Sequence, residues 1–159
     1  MKTVNQFING KEHISKSERF GDVFNPANGE ITKKVSFANN DDVKLAIDCA
    51  VEAGKKWAAT PPLTRSRVFF RFKDLILRDM DKLALELTSE HGKILSDSAG
   101  SITRGMEVVE FACGIPHLLK GEYSENVGTD IDSWSMRQPL GVSVGISPFN
   151  FPAMVPMWM

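Results

Sequence analysis

The chain has 159 residues, 42% hydrophobic and 25% charged, with a formal net charge of −1. That is ordinary globular composition, and it gives no reason to invoke nucleic acid or an anionic membrane as partner. No run approaches the roughly 18 apolar residues of a transmembrane helix, Met1 to Phe7 has no secretory pattern, and Cys49 and Cys113 make no disulfide framework, which fits a reducing cytoplasmic or matrix-like compartment.

Phe7-Ile8-Asn9-Gly10-Lys11 reads as a short strand entering an Asn-Gly turn. In Asn25-Pro26-Ala27-Asn28-Gly29-Glu30, Pro26 keeps Asn25 extended and Gly29 is free to take positive φ, so Ile31 to Phe37 is the expected return strand. A helix capped by Asn40 or Asp41 follows, with Val43, Ala46, Ile47, Ala50, Val51 and Trp57 at helical spacing until Thr60-Pro61-Pro62 ends it. Thr64 is the expected cap of a second helix, with a stripe of Val68, Phe69, Phe72, Leu75 and Ile76. Asp81 opens a shorter helix with Leu83, Ala84 and Leu87, broken at Gly92.

Ser96 to Leu119 is the longest helical candidate, with one stripe of Ile102, Met106, Val109 and Cys113 and a second of Val108, Phe111 and Ile115. A helix apolar on two sides is expected to be sandwiched, and Pro116 to end or kink it. Glu122 to Val127 and Ser133 to Pro139, joined by Gly128-Thr129-Asp130, read as a hairpin. Gly141 to Ile146 has the apolar, β-branched character of a buried parallel strand, and it leads through Ser147 to Pro152 into the apolar run Ala153 to Met159. Helices followed by one such strand are the opening of a doubly wound α/β sheet, and the missing neighbour strands lead to the expectation that the sequence is incomplete.

Cys113 and His117, four apart, could hold a metal or form a thiol–imidazole pair. There is no third ligand at workable spacing, and Cys113 lies on a core stripe, so the small buried hydrophobe is the preferred reading and no metal is expected. Cys49 reads the same way.

The motifs Phe7-Ile8-Asn9-Gly10-Lys11, Asn25 to Glu30, Ala46/Ala50/Ala53/Trp57, Glu90-His91-Gly92-Lys93, Arg104-Gly105, Val108 to Cys113, Gln138 to Val142 and above all Pro148-Phe149-Asn150-Phe151-Pro152 together resemble the aldehyde dehydrogenase superfamily. Within it the chain is similar to the CoA-acylating methylmalonate-semialdehyde dehydrogenases. The resemblance runs from Phe7 to Met159 and implies the N-terminal part of that α/β fold, an incomplete Rossmann-type NAD-binding domain. Residues 1–120 would be the helical and strand part of that domain, 121–139 an oligomerisation hairpin, and 140–159 the first Rossmann-type strand and the start of its helix. No G-x-G-x-x-G is present, but this superfamily binds NAD without one.

The resemblance assigns the side chain of Asn150 to stabilising the oxyanion formed when a cysteine thiolate attacks the aldehyde. Without it, Asn150 reads as a residue satisfying its own turn. Ser147 and Phe149 would touch NAD, and phenylalanine at 149, where most of the superfamily has tryptophan, points to the acylating branch. Arg104 would hold the carboxylate of a malonate or methylmalonate semialdehyde through a bidentate fork, on a face continued by Val108, Phe111 and Ile115 that is expected to be buried. The bland alternative for Arg104 is a solvated arginine, or one paired with Glu107 or Glu110. The implied reaction converts semialdehyde, coenzyme A and NAD to propionyl- or acetyl-CoA, bicarbonate and NADH in a homotetramer. The nucleophilic cysteine is not among these residues, so the chain alone is expected to be inactive. Other readings are a non-acylating aldehyde dehydrogenase, a non-catalytic module pairing with a full-length subunit and, far behind, a thiol hydrolase using Cys113 and His117.

Overall fold

A computed structural model describes residues 2–159. The N-terminal part is built from short strands: β1 (Lys2–Val4), β2 (Gln6–Ile8), β3 (Lys11–His13), β4 (Phe20–Phe24) and β5 (Ile31–Ser36). β2 and β3 form the expected hairpin, with Asn9 and Gly10 both at positive φ, as a two-residue turn of this hand requires. β5 is central in a three-stranded sheet, antiparallel to β4 and parallel to β1. The turn from β4 to β5 closes through the Asn25 amide donating to the Glu30 carbonyl, with Gly29 at φ 77°.

The helices are α1 (Asn40–Ala59), α2 (Pro62–Arg78), α3 (Met80–His91), α4 (Leu95–Cys113), α5 (Ile115–Leu118) and α6 (Met154–Trp158). α1 begins one residue earlier than the sequence suggests. Asn39 is its cap, accepting from the Asp42 amide while Asp42 returns a bond to the Asn39 amide. Thr64 does not cap α2; Pro62 stands in its first turn, where a missing N–H costs nothing. Gly92 ends α3 in the left-handed conformation at φ 84°. The long helical stretch breaks at Gly114 rather than at Pro116, which sits in the first turn of α5.

The core lies where α4 packs against α2, α3 and α6. Ile76, Ala84, Leu87, Ile102 and Val109 are buried together, with Phe69, Met106, Ala153 and Met157 against them. Ser66, Ser98 and Ser101 are as buried as the hydrophobes, and Ser98 shares a 2.8 Å hydrogen bond with Thr88 across the α3–α4 contact. Their small size lets the helices approach. Gly105 does the same against α6: a Cβ there would stand 2.5 Å from Met157 Cε and 3.1 Å from Met154 Cα.

Elsewhere the surface is open. Accessible area is 12027 Å², against about 7,900 Å² for a folded monomer of this mass. The α1 stripe is part of the surplus, with Val43, Ile47, Val51 and Trp57 all exposed. The second α4 stripe, expected to be buried, is not: Phe111 is exposed, and Val108 and Ile115 are half-buried. α4 spends its contacts on the Ile102 face, and among the described residues the other is only partly covered.

The hairpin is present as β6 (Tyr123–Gly128) and β7 (Ile131–Trp134), with its turn at Thr129-Asp130. Its second strand starts two residues earlier than expected and stops well before Pro139. The Tyr123 hydroxyl donates to Asp132, which also accepts from the Asn126 amide. The largest departure is Gly141 to Ile146, which forms no strand. Val144 and Ile146 are more than four-fifths exposed. A strand exists through hydrogen bonds to a neighbour, and the described residues offer this run none.

Candidate active site

The turn Ser147 to Ala153 joins that unpaired run to α6, and three of the four site residues expected from the sequence lie on it. α6 anchors it: Met154 is buried against α4, and the Val155 amide donates back to the Phe151 carbonyl. Gly145 passes so close to Met159 that a Cβ would stand 2.5 Å from its sulfur. The turn is thus held by α6 on one side while its outer residues stand free.

Asn150 is exposed, and no hydrogen bond among the described residues engages its side-chain amide. It does not satisfy its own turn, the bland role its sequence allowed. Its backbone carbonyl is bound instead, accepting from Lys93 Nζ at 3.1 Å. The same ammonium lies 4.7 Å from the centroid of the Phe151 ring. Ser147 is exposed and Phe149 is 89% exposed, so the aromatic face is not engaged in core packing within this chain.

Arg104 stands on α4, exposed, one residue before the Gly105 contact with α6. Its carbonyl accepts from Trp158 Nε1 at 3.4 Å, which joins its helix to the end of the segment carrying Asn150. Glu110 is taken by Lys73 at 2.8 Å, and no ion pair to the Arg104 guanidinium occurs among the described residues. The arginine is therefore not spent on the helix partners its sequence offered.

Two motifs far apart in sequence meet beside this turn. Gly92 packs against Pro26, whose ring carbons would lie 3.0 Å from a Cβ at that position. Lys33 of β5 pairs with Glu90 of α3, and the carboxylate raises the lysine's proton affinity. The first turn of α1 is clamped in a similar way. Asp42 accepts from Ser15 at 2.5 Å, from the Asn39 amide at 2.8 Å and shares a 2.7 Å bond with His13. These bonds, that from Ser15 foremost, hold its carboxyl down at about 2. Neither this clamp nor the reach of Lys93 is predicted by the sequence. The Asn39–Asp42 spacing was a visible capping-box signal; the partners fifty-seven and twenty-nine residues away left none.

Cys113 is buried, and desolvation pushes its thiol up, away from the thiolate a nucleophile needs. His117 is exposed beyond the Gly114 break. No group of three metal-ligating side chains occurs among the described residues, and no helix there is long and apolar enough to cross a membrane.

Residues 13–159 match the model of the aldehyde dehydrogenase family. The chain is 49% identical to a malonate-semialdehyde dehydrogenase of Pseudomonas aeruginosa over 159 residues, covering all of this chain and 32% of that protein. It is 49% identical over 156 residues to the mitochondrial acylating methylmalonate-semialdehyde dehydrogenase of Arabidopsis thaliana, covering 98% of this chain and 26% of that one. Among solved structures, the methylmalonate-semialdehyde dehydrogenase of Oceanimonas doudoroffii superposes with a TM-score of 0.96 at 51% identity, over all of this chain and 32% of that one. A Sinorhizobium meliloti 1021 protein described as a methylmalonate-semialdehyde dehydrogenase, solved in complex with NAD, gives 0.97 at 48% identity over the same shares. The chain thus spans about a third of the length of the relatives it matches.

Proposed function

This chain belongs to the aldehyde dehydrogenase family, and we propose that it is the N-terminal, cofactor-side third of an NAD-dependent, CoA-acylating malonate- or methylmalonate-semialdehyde dehydrogenase. Residues 121–139 are then its oligomerisation hairpin, and 140–159 hold the segment that becomes its first Rossmann-type strand once neighbouring strands pair with it, followed by the helix start. The observation that carries the reading is Asn150: an unengaged amide on a turn whose backbone is held on both sides.

The chemistry needs such a donor. A cysteine thiolate outside these residues adds to the aldehyde carbon, and the carbonyl oxygen becomes an anion. The Asn150 NH2 donates to that oxygen, stabilising it without delivering a proton or a full charge. Bound NAD supplies the hydride acceptor. Phe149, with its ring free, fits an apolar wall for the nicotinamide and ribose, and Ser147 fits a polar contact beside it. Arg104 holds the substrate carboxylate with its fork, which has no ion pair among the described residues and so costs none to engage. Coenzyme A's thiol takes the acyl group and the cysteine thiol leaves; the C–C bond to the carboxylate breaks, with water supplying the proton to the α-carbon and the added oxygen of bicarbonate.

The test is a segment exchange, in which these 159 residues replace the matching third of the Pseudomonas aeruginosa relative. The exchanged enzyme is expected to reduce NAD with malonate semialdehyde and coenzyme A. Asn150→Ala is expected to lower kcat by about 10²–10³. Arg104→Met is expected to raise KM for the semialdehyde and leave an uncharged aldehyde unaffected. Full rate in Asn150→Ala would sink the reading, as would turnover by the 159-residue chain alone.

A second reading rests on the hairpin, whose Tyr123, Val127, Ile131 and Trp134 are all exposed. A non-catalytic chain would use it to pair with the sheet edge of a full-length subunit. Absence of co-elution with a full-length relative removes that reading.

A further inference from the structure

We propose that Lys93 is the positioning residue for Asn150, acting through the peptide that joins Asn150 to Phe151. The inference rests on the oxyanion role of Asn150 argued above and names what holds that residue in place.

The two contacts of the ammonium converge on one peptide unit. Lys93 Nζ donates to the Asn150 carbonyl at 3.1 Å and lies 4.7 Å from the Phe151 ring centroid. A cation over an aromatic face is attracted by the ring quadrupole, and a carbonyl is a good acceptor for an ammonium. Fixing that carbonyl fixes ψ of Asn150. Backbone dihedrals decide which side-chain rotamers are open, so ψ sets where the amide points. The lysine does not itself face the reacting oxygen: its hydrogen bond goes to the main chain, not to the amide.

Lys93 is in turn placed by its own neighbours. It follows Gly92, which turns the chain off α3 at φ 84° and packs against Pro26 too closely for a side chain. Glu90, one turn earlier, is tied to Lys33. The end of α3 is therefore fastened to the β4–β5 region. Lys93, half-buried, spans from there to the turn fifty-seven residues later. On the side of α3 this turn offers two handles, the Asn150 carbonyl and the Phe151 ring, and Lys93 engages both.

The test has two arms. In the 159-residue chain, Asn150-Phe151 is the one Asn-Phe pair, so 13C-carbonyl asparagine with 15N-phenylalanine labelling gives a single carbonyl–nitrogen correlation for that peptide. Lys93→Met is expected to move this signal and Lys93→Arg to restore it, with unchanged circular dichroism. In the exchanged enzyme, Lys93→Met is expected to lower kcat about ten- to a hundredfold, as small misplacements of a reacting group do. KM for NAD and semialdehyde is expected to stay within about twofold, since uniform binding is untouched, and Lys93→Arg to recover most of the rate. An unmoved signal in Lys93→Met overturns the proposal, as does a moved signal with full kcat or a rate that arginine does not restore. Full rate in Asn150→Ala instead removes the oxyanion role, a result distinct from any of these.

Discussion

Ile102 and Ile146 are the same residue type in runs of similar apolar character, yet one is 1% exposed and the other 89%. The first sits in α4, among three helices that cover it. The second sits in a run that no other segment pairs among the described residues. The difference teaches that pattern specifies a capacity for burial and only a partner realises it. A helix closes its hydrogen bonds internally and can form before its face is covered. A strand cannot, because each of its backbone groups needs another chain segment. The helices therefore close their interior backbone bonds here, while residues 141–146 form no ladder among the described residues. The turn carrying Asn150 sits at the junction, anchored to the first region and projecting from the second.

The widest gap between the regions is expected from matched truncations. Ile102→Ala should cost about 2–5 kcal/mol, because it opens a cavity among packed helices. Val144→Ala, at a site 82% exposed, should stay within about 0.5 kcal/mol. Urea denaturation of the two variants measures both, and equal losses would break the comparison.

A smaller effect is expected where the regions join. Gly105→Ala introduces a methyl that meets Met157 at 2.5 Å and the Met154 backbone at 3.1 Å. The methionine end can move and the backbone cannot, so a loss of about 1–3 kcal/mol is expected from overpacking. Hydrogen exchange should show it as faster exchange in α6 and in the Asn150 turn, with α3 unchanged. Exchange that rises evenly over the chain would mean that α6 is not a separable anchor.

The smallest effect is expected at the far end of the packed region, in the Asp42 clamp. The folded carboxyl titrates at about 2, below its ordinary 3.8. Its contribution to stability is therefore fully present above about pH 4 and is lost as pH falls toward 2. Denaturation midpoints between pH 5 and 2 should fall less steeply in Asp42→Asn than in the unaltered chain. Parallel curves would remove the clamp from the acid response.

What the sequence determined is what short range can encode. The Asn9-Gly10 turn, the Gly29 turn, the Gly92 stop and the Ile102/Val109/Cys113 stripe follow from local dihedral preference and helical period, and the structure has all of them. The family is legible in one five-residue motif and several supporting ones, and the role proposed for Asn150 rests on the same motif. Tertiary structure alone decided which of two apolar stripes on α4 is covered and that three serines sit in the core. It alone decided that Lys93 reaches Asn150 and that His13 and Ser15 reach Asp42. Each of these depends on a contact between distant residues, and one residue's identity carries no record of which distant surface it will meet.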